Sequence, residues 1–191
     1  MICYLVRHGK DDDNIRGGWS NSGLTAEGKS QVKNLVDYIS EKENELKIEK
    51  LFSSDLTRAV ETIMPISTIL NLKVEFKPEF RETNNGVLAG MPNNIAIKKY
   101  PGLFWNKLEW YESYPEGESP HTFYERIKIA WEIFSETIIK ENKNVILVTH
   151  GGVINVIYTL IDKKPFSNKM KMEKIDHAIM IPLKYNNDWE R

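Results

Sequence analysis

Strand-like and helix-like segments alternate along this chain, and the alternation predicts an α/β fold with helices on both faces of a mainly parallel sheet. Two apolar runs sharpen that expectation. Ile2 to Val6 and Val145 to Val148 are continuous aliphatic and β-branched stretches, the pattern of strands buried on both faces. Each stops in a His-Gly pair, the first in Arg7-His8-Gly9 and the second in Thr149-His150-Gly151-Gly152. Ligands of open α/β sheets bind outside the carboxyl ends of the strands, so two segments far apart in sequence can deliver two imidazoles to one cleft.

The elements follow in order. After the first strand, Thr25 is a plausible N-cap for a helix over residues 26–40, where Val32, Leu35, Val36 and Ile39 repeat at helical spacing. Residues 41–50 read as a charged connector, and residues 51–54 as a short buried strand. A helix over about 56–70 contains Pro65, which predicts a kink or a break. Residues 73–76 resemble another strand, 92–99 a short helix, and 101–117 an irregular stretch dense in Trp and Tyr. Ser119 and Pro120 supply an N-cap and a favoured first residue for a long helix through about residue 140, with Phe123, Ile127, Ala130, Trp131 and Phe134 facing inward. The second His-Gly strand comes next, then a helix over 152–161. Residues 178–185 form a last strand, placed at an edge because Pro182 interrupts it.

Composition bounds the function. At 191 residues the default is one domain spanning 1–191, a size that buries roughly 70% of the unfolded surface without staples. The formal charge is −1 from 26 basic and 27 acidic residues, so no global field draws the chain to nucleic acid or an anionic membrane. Cys3 is the single cysteine and can form no internal disulfide, which fits a reducing compartment. With strand-like sequence at its start, no basic n-region and no apolar stretch near the ~18 residues of a membrane span, the chain is expected in the cytoplasm.

The residues beside the histidines suggest the chemistry. Arg7 and Arg58 are permanently charged forks suited to phosphate or carboxylate, and Arg58 opens the helix after the Ser53-Ser54 strand, where unpaired backbone donors and the helix dipole add positive potential. Two arginines, two histidines and helix starts at one edge describe a pocket for a dianion. His8 in neutral form could attack phosphorus and form a phosphohistidine, with His150 and the arginines stabilising the equatorial oxygens. A leaving alkoxide needs a proton, and Glu82, after the third strand, is the candidate acid. A solvated Glu82 paired with Arg81 is the plainer reading of that residue on its own.

Leu5-Val6-Arg7-His8-Gly9 resembles the Arg-His-Gly signature of the histidine phosphatase superfamily, in the branch that includes the cofactor-dependent phosphoglycerate mutases. Ser53-Ser54-Asp55-Leu56-Thr57-Arg58-Ala59 is similar to the segment that supplies that family's second phosphate arginine. Glu82 with Gly86 resembles the proton-donor segment, Val148 to Gly152 the second histidine, and Gly117-Glu118-Ser119 the start of the long helix. The resemblance implies a three-layer α/β/α sandwich with one antiparallel edge strand. It implies a metal-independent phosphomonoesterase without a cofactor, in which His8 is the nucleophile, Glu82 the proton donor, His150 the electrostatic partner, and Arg7, Arg58 and Gly151 phosphate ligands. A small phosphorylated substrate and inorganic phosphate are the implied partners.

The chain departs from that family's pattern after Gly9, where Lys10 is followed by Asp11, Asp12 and Asp13. Carboxylates beside an anion pocket oppose phosphate unless screened or paired. Two accounts stand: a solvated loop partly neutralised by Lys10 and Arg16, or recognition of an amine-bearing substrate. Asn14 falls where relatives place a secondary phosphate ligand, and Arg16 and Trp19 are candidate substrate contacts. Asn85 stands where an aromatic is usual. His121 and His177 read as uninformative polar residues, and Phe104, Trp105, Trp110, Tyr111 and Tyr114 as either a lid over the leaving group or packing for the irregular stretch. Mutase action is the first alternative to hydrolysis, disfavoured by the short stretch between Glu82 and Gly117. A zinc or manganese enzyme is disfavoured by the arginines, and a non-catalytic phospho-ligand module by the presence of both His8 and Glu82.

Overall fold

A computed structural model describes residues 1–191. The strands are β1 (Ile2–Arg7), β2 (Ile48–Ser53), β3 (Val74–Phe76), β4 (Asn144–Thr149), β5 (Met180–Tyr185) and β6 (Trp189–Glu190). The helices are α1 (Ala26–Glu41), α2 (Glu43–Leu46), α3 (Thr57–Leu70), α4 (Asn93–Lys99), α5 (Pro120–Glu141) and α6 (Gly151–Ile161). One six-stranded sheet has the order β3-β2-β4-β1-β5-β6. The pairs among β1 to β4 are parallel, and β5 runs antiparallel to β1.

The unbroken apolar runs have a direct cause in the layering. Along β1, Cys3 and Leu5 pack on one face with Phe123, Ile127, Trp131 and Phe134 of α5 and with Val153 and Ile157 of α6. Tyr4 and Val6 face the other way, onto Val32, Leu35 and Ile39 of α1 and onto Ala59, Ile63 and Ile66 of α3. Side chains alternate faces along a strand, so a strand covered on both sides must be apolar throughout. Each large aliphatic side chain so buried contributes roughly 1.5–3 kcal/mol by leaving water.

The caps also form. The Thr25 side chain accepts from the Gly28 amide at the start of α1. Ser119 and Thr122 form a reciprocal capping box at the start of α5, with Pro120 as its first residue.

Several boundaries differ from the sequence expectations. The connector over 41–50 holds α2 and the start of β2; Leu46 is buried, and Lys47 in the left-handed region ends the helix. Pro65 does not break α3, which runs continuously from Thr57 to Leu70. Ala178 lies in a bend with φ of 52°, and β5 begins only at Met180. Beyond β5 the sheet has one more strand, since β6 pairs with Lys184 and Tyr185. Pro182 lies outside that short ladder, so its missing N–H removes no bond to β6.

Candidate active site

The strand order β2-β4-β1 sets the carboxyl ends of three strands side by side, which brings His8, Arg58 and His150 together although 142 residues separate the histidines. The two imidazole centroids are 5.0 Å apart. His8 and His150 are both buried. Burial, and then the Arg58 guanidinium, hold each imidazole well below its ordinary pKa, so both are neutral near pH 7.

The hydrogen bonds of His8 decide its tautomer. Arg58 Nε lies 3.2 Å from His8 Nε2 and can only donate, so Nε2 is the lone-pair nitrogen. Nδ1 lies 2.7 Å from the carbonyl of Gly9 and donates to it. The ring is therefore held with its lone-pair nitrogen facing the arginine. His150 Nε2 lies 2.9 Å from Ser54 Oγ, and its Nδ1 is buried without a partner.

Arg58 is 1% exposed at the start of α3, with Nη2 donating to the Gly18 carbonyl at 2.7 Å and Nη1 to that of Ser20 at 3.4 Å. Arg7 Nη1 donates to the Ile175 carbonyl at 2.8 Å, while its Nε is buried and unpartnered. These donors and the amide of Gly151, the first residue of α6, form a cationic edge suited to an oxyanion. A Cβ added at Gly151 would lie 3.6 Å from Arg7 Nε, an ordinary contact distance, so Gly151 and the Arg7 side chain are neighbours.

Glu82 comes from the segment after β3 and reaches the same edge. Its Oε1 accepts from the Thr83 amide at 3.0 Å and its Oε2 from the Gly152 amide at 3.0 Å. A side chain at residue 152 would overlap Glu82 Oε1, so glycine there is what permits the carboxylate to dock on the first turn of α6. The Glu82 carbonyl is clamped by Trp19 Nε1 at 2.6 Å and by Arg126 Nη2 at 3.1 Å. The plainer expectation of a Glu82–Arg81 pair fails, because Arg81 makes a bidentate contact with Asp55 instead. Glu118 accepts from Arg126 and from the Asn84 amide, so Gly117-Glu118-Ser119 braces the segment that carries Glu82.

The secondary candidates divide. Asn14 is exposed and donates to Asp12 Oδ1 at 2.8 Å, so nothing draws it to His8. Arg16 stacks on Phe104 at 4.7 Å and makes no side-chain hydrogen bond. Trp19 is enclosed by Arg81 and Arg126. A cavity of about 290 Å³ beside Glu82 and Gly152 is lined by Trp105, Tyr114, Phe123 and Met172. Trp110 and Tyr111 pack on His121 instead, which is the packing expected of the irregular stretch. Asn85 receives the Trp19 amide at 3.3 Å and takes a packing role in place of an aromatic.

Two site residues escaped the sequence reading. Asp11 is not a solvated carboxylate: its side chain is 14% exposed and lies 3.4 Å from Arg58 Nε. His177 is not uninformative, because its ring lies 5.6 Å from that of His8. The available signal was its place just before a strand that runs antiparallel to β1, since the start of such a strand meets the carboxyl end of β1. His8, Asp11 and His177 bring donor atoms within 4.8 Å of one another, the spacing of a metal site. Arg58 Nε, however, contacts both His8 Nε2 and Asp11 Oδ2, so a metal held by this cluster would sit against a guanidinium.

The buried neutral imidazoles imply an acid-sensitive fold. Folded His8 and His150 bind protons only well below pH 6.5, the ordinary value at which the unfolded chain binds them, so acidification through that value favours unfolding. The urea midpoint should fall between pH 7.5 and pH 5; a midpoint that holds or rises contradicts this account of the site.

The chain is 32% identical over 186 residues to a probable phosphatase of Schizosaccharomyces pombe, covering 91% of this chain and 80% of that relative. It is 29% identical over 161 residues to phosphoserine phosphatase 1 of Hydrogenobacter thermophilus, covering 81% and 72%. Among solved structures, the α-ribazole phosphatase from Shigella flexneri superposes with a TM-score of 0.82 at 22% identity, covering 98% of this chain and 92% of the other. The sequence model of the histidine phosphatase superfamily (branch 1) matches residues 3–190, and the chain belongs to that family.

Proposed function

We propose that this protein hydrolyses small phosphate monoesters through a phosphohistidine on His8, without a metal or cofactor, as one catalytic domain spanning residues 1–191. The observation that carries the reading is the Arg58 Nε to His8 Nε2 contact, which leaves a buried neutral imidazole with its lone pair at the centre of a cationic pocket. In the first step Nε2 bonds to phosphorus, the ester P–O bond breaks, and the leaving alkoxide takes a proton from Glu82. In the second, water attacks the phosphohistidine and gives a proton to the Glu82 carboxylate, and the P–N bond breaks to release inorganic phosphate and neutral His8. Arg7, Arg58 and His150 stabilise the equatorial oxygens in both steps. Gly151 contributes an amide, and Asn14 is a phosphate ligand only if its loop turns inward.

Hydrolysis is favoured over mutase action by the short stretch between Glu82 and Gly117, which offers little to keep water from a phosphorylated intermediate. The aromatic cavity beside Glu82 suits the leaving alcohol, with Arg16 at the neighbouring Phe104 as a substrate contact and Trp19 as a brace for Glu82. A buried free Cys3, together with the absence of any helix long and apolar enough to cross a membrane, is compatible with work in the cytoplasm.

The test is phosphate release from a panel of monoesters, including phosphoserine and phosphoglycerate, with a chelator present. Metal-free release is the expected result. Activity that a chelator abolishes and a divalent ion restores overturns the metal-independent route. Transfer to an acceptor in place of release establishes the mutase.

A further inference from the structure

One imidazole at the catalytic edge has no part in the two-step scheme. His177 lies in the bend before β5, and because Met180 pairs with Val6 the fold sets that bend against the end of β1. The Ala178 amide donates to the Arg7 carbonyl at 2.8 Å, and the Arg7 side chain reaches back to the Ile175 carbonyl, so the bend is tied to a phosphate-pocket arginine from both sides. The His177 ring centroid is 5.6 Å from that of His8, and its Nε2 is buried with no hydrogen-bond partner. Asp11, from the loop after β1, completes a cluster whose donor atoms lie within 4.8 Å of one another.

We propose that His177 is a third imidazole of the phosphate pocket, taking up a proton as a dianion binds at His8, Arg7 and Arg58 and donating from Nε2 to it, with Asp11 helping to retain that proton. The proposal rests on the phosphate pocket described above and adds to it a binding residue and a proton. Asp11, already 3.4 Å from Arg58 Nε, is repelled by a dianion in the pocket, and a positive charge on the neighbouring imidazole offsets that repulsion.

The charges around His177 set the direction. Arg7 of β1, Lys10, Asp11 and Asp13 of the following loop, and His8 face it, and Tyr38 of α1 borders the same hollow. Burial and Arg7 hold the free imidazole below its ordinary pKa, while Asp11 and Asp13 pull the other way. Two further negative charges at contact range raise it. Dianion affinity is therefore strengthened by His177 at and below neutral pH, and that contribution is lost as pH rises through the value in the complex. The proton comes from solvent on binding and returns to it when the product leaves.

Sulfate is the probe, because it remains a dianion across the working range while phosphate does not. Inhibition of p-nitrophenyl phosphate hydrolysis by sulfate is compared for the wild type and His177→Asn, which keeps a side-chain N–H but cannot titrate. Near pH 6 the variant should bind sulfate about tenfold more weakly, because a neutral N–H replaces a charged donor, and near pH 8 less than about twofold more weakly. Proton NMR of the four histidine rings gives a readout on the wild-type protein itself: saturating sulfate near pH 7 should move one signal, absent from the variant, to the imidazolium position. A loss that is equal at both pH values, or a His177 signal that sulfate leaves in place, overturns the proposal. Failure of sulfate to inhibit the wild type at any pH overturns the phosphate pocket itself.

Discussion

Replacing His8 with Ala should lower kcat for every phosphate monoester by at least about 10⁴-fold, the scale seen when a covalent nucleophile is removed from a site that otherwise stays intact. The same change should abolish the acid-labile radiolabel that the wild type retains after an acid quench during turnover of a labelled substrate. Both expectations come from the geometry at Nε2: that nitrogen carries the lone pair and faces Arg58 at 3.2 Å. His150 directs its own Nε2 at Ser54 Oγ, 2.9 Å away. His8→Ala also removes a buried ring from beside Arg58, so the variant is checked by its denaturation midpoint and by its remaining affinity for sulfate. A wild type that turns over without forming any labelled protein would rule out the covalent route.

Replacing Glu82 with Gln should separate substrates by their leaving groups. For an alkyl phosphate, whose alkoxide needs a proton as the P–O bond breaks, loss of a general acid costs on the order of 10²–10⁴ in rate. For p-nitrophenyl phosphate the departing phenolate needs no proton, and the first step should be nearly unaffected. Dephosphorylation of His8 still calls for a base to accept a proton from water, so the variant should accumulate phosphoenzyme on the aryl substrate. Gln is nearly the size of Glu and its carbonyl can still accept from the Gly152 amide, but its NH2 then faces the Thr83 amide, so the denaturation midpoint is measured beside the rates. Equal losses on both substrate types would remove Glu82 from the acid role and leave it as a brace for α6.

The site was legible in sequence where it lies in short continuous segments at strand ends. Arg7 and His8 close β1, His150 closes β4 and caps α6, and Arg58 opens α3, so burial pattern and local helix signals together placed them on one edge. Glu82 was harder, because it stands in irregular chain with no periodicity to orient it. What holds it is the amide of Gly152, 70 residues away, together with the Arg126–Glu118 brace. Asp11 was misjudged because a run of three carboxylates reads as solvated when taken by composition. The fold turns only Asp11 inward, to a guanidinium contributed from 47 residues further on.

By itself the sequence determined the layers and named most of the side chains that meet at one edge of the sheet. Buried strands must be apolar on both faces, helices must show their period and their caps, and neither requirement depends on distant contacts. Only the tertiary structure decided which polar side chains share the pocket. The pairing of β5 with β1 placed His177 beside His8, and the docking of Glu82 on α6 brought its carboxylate to the same edge. Such contacts join residues far apart along the chain, and their energies come from burial and charge in three dimensions, which local periodicity and capping signals do not encode.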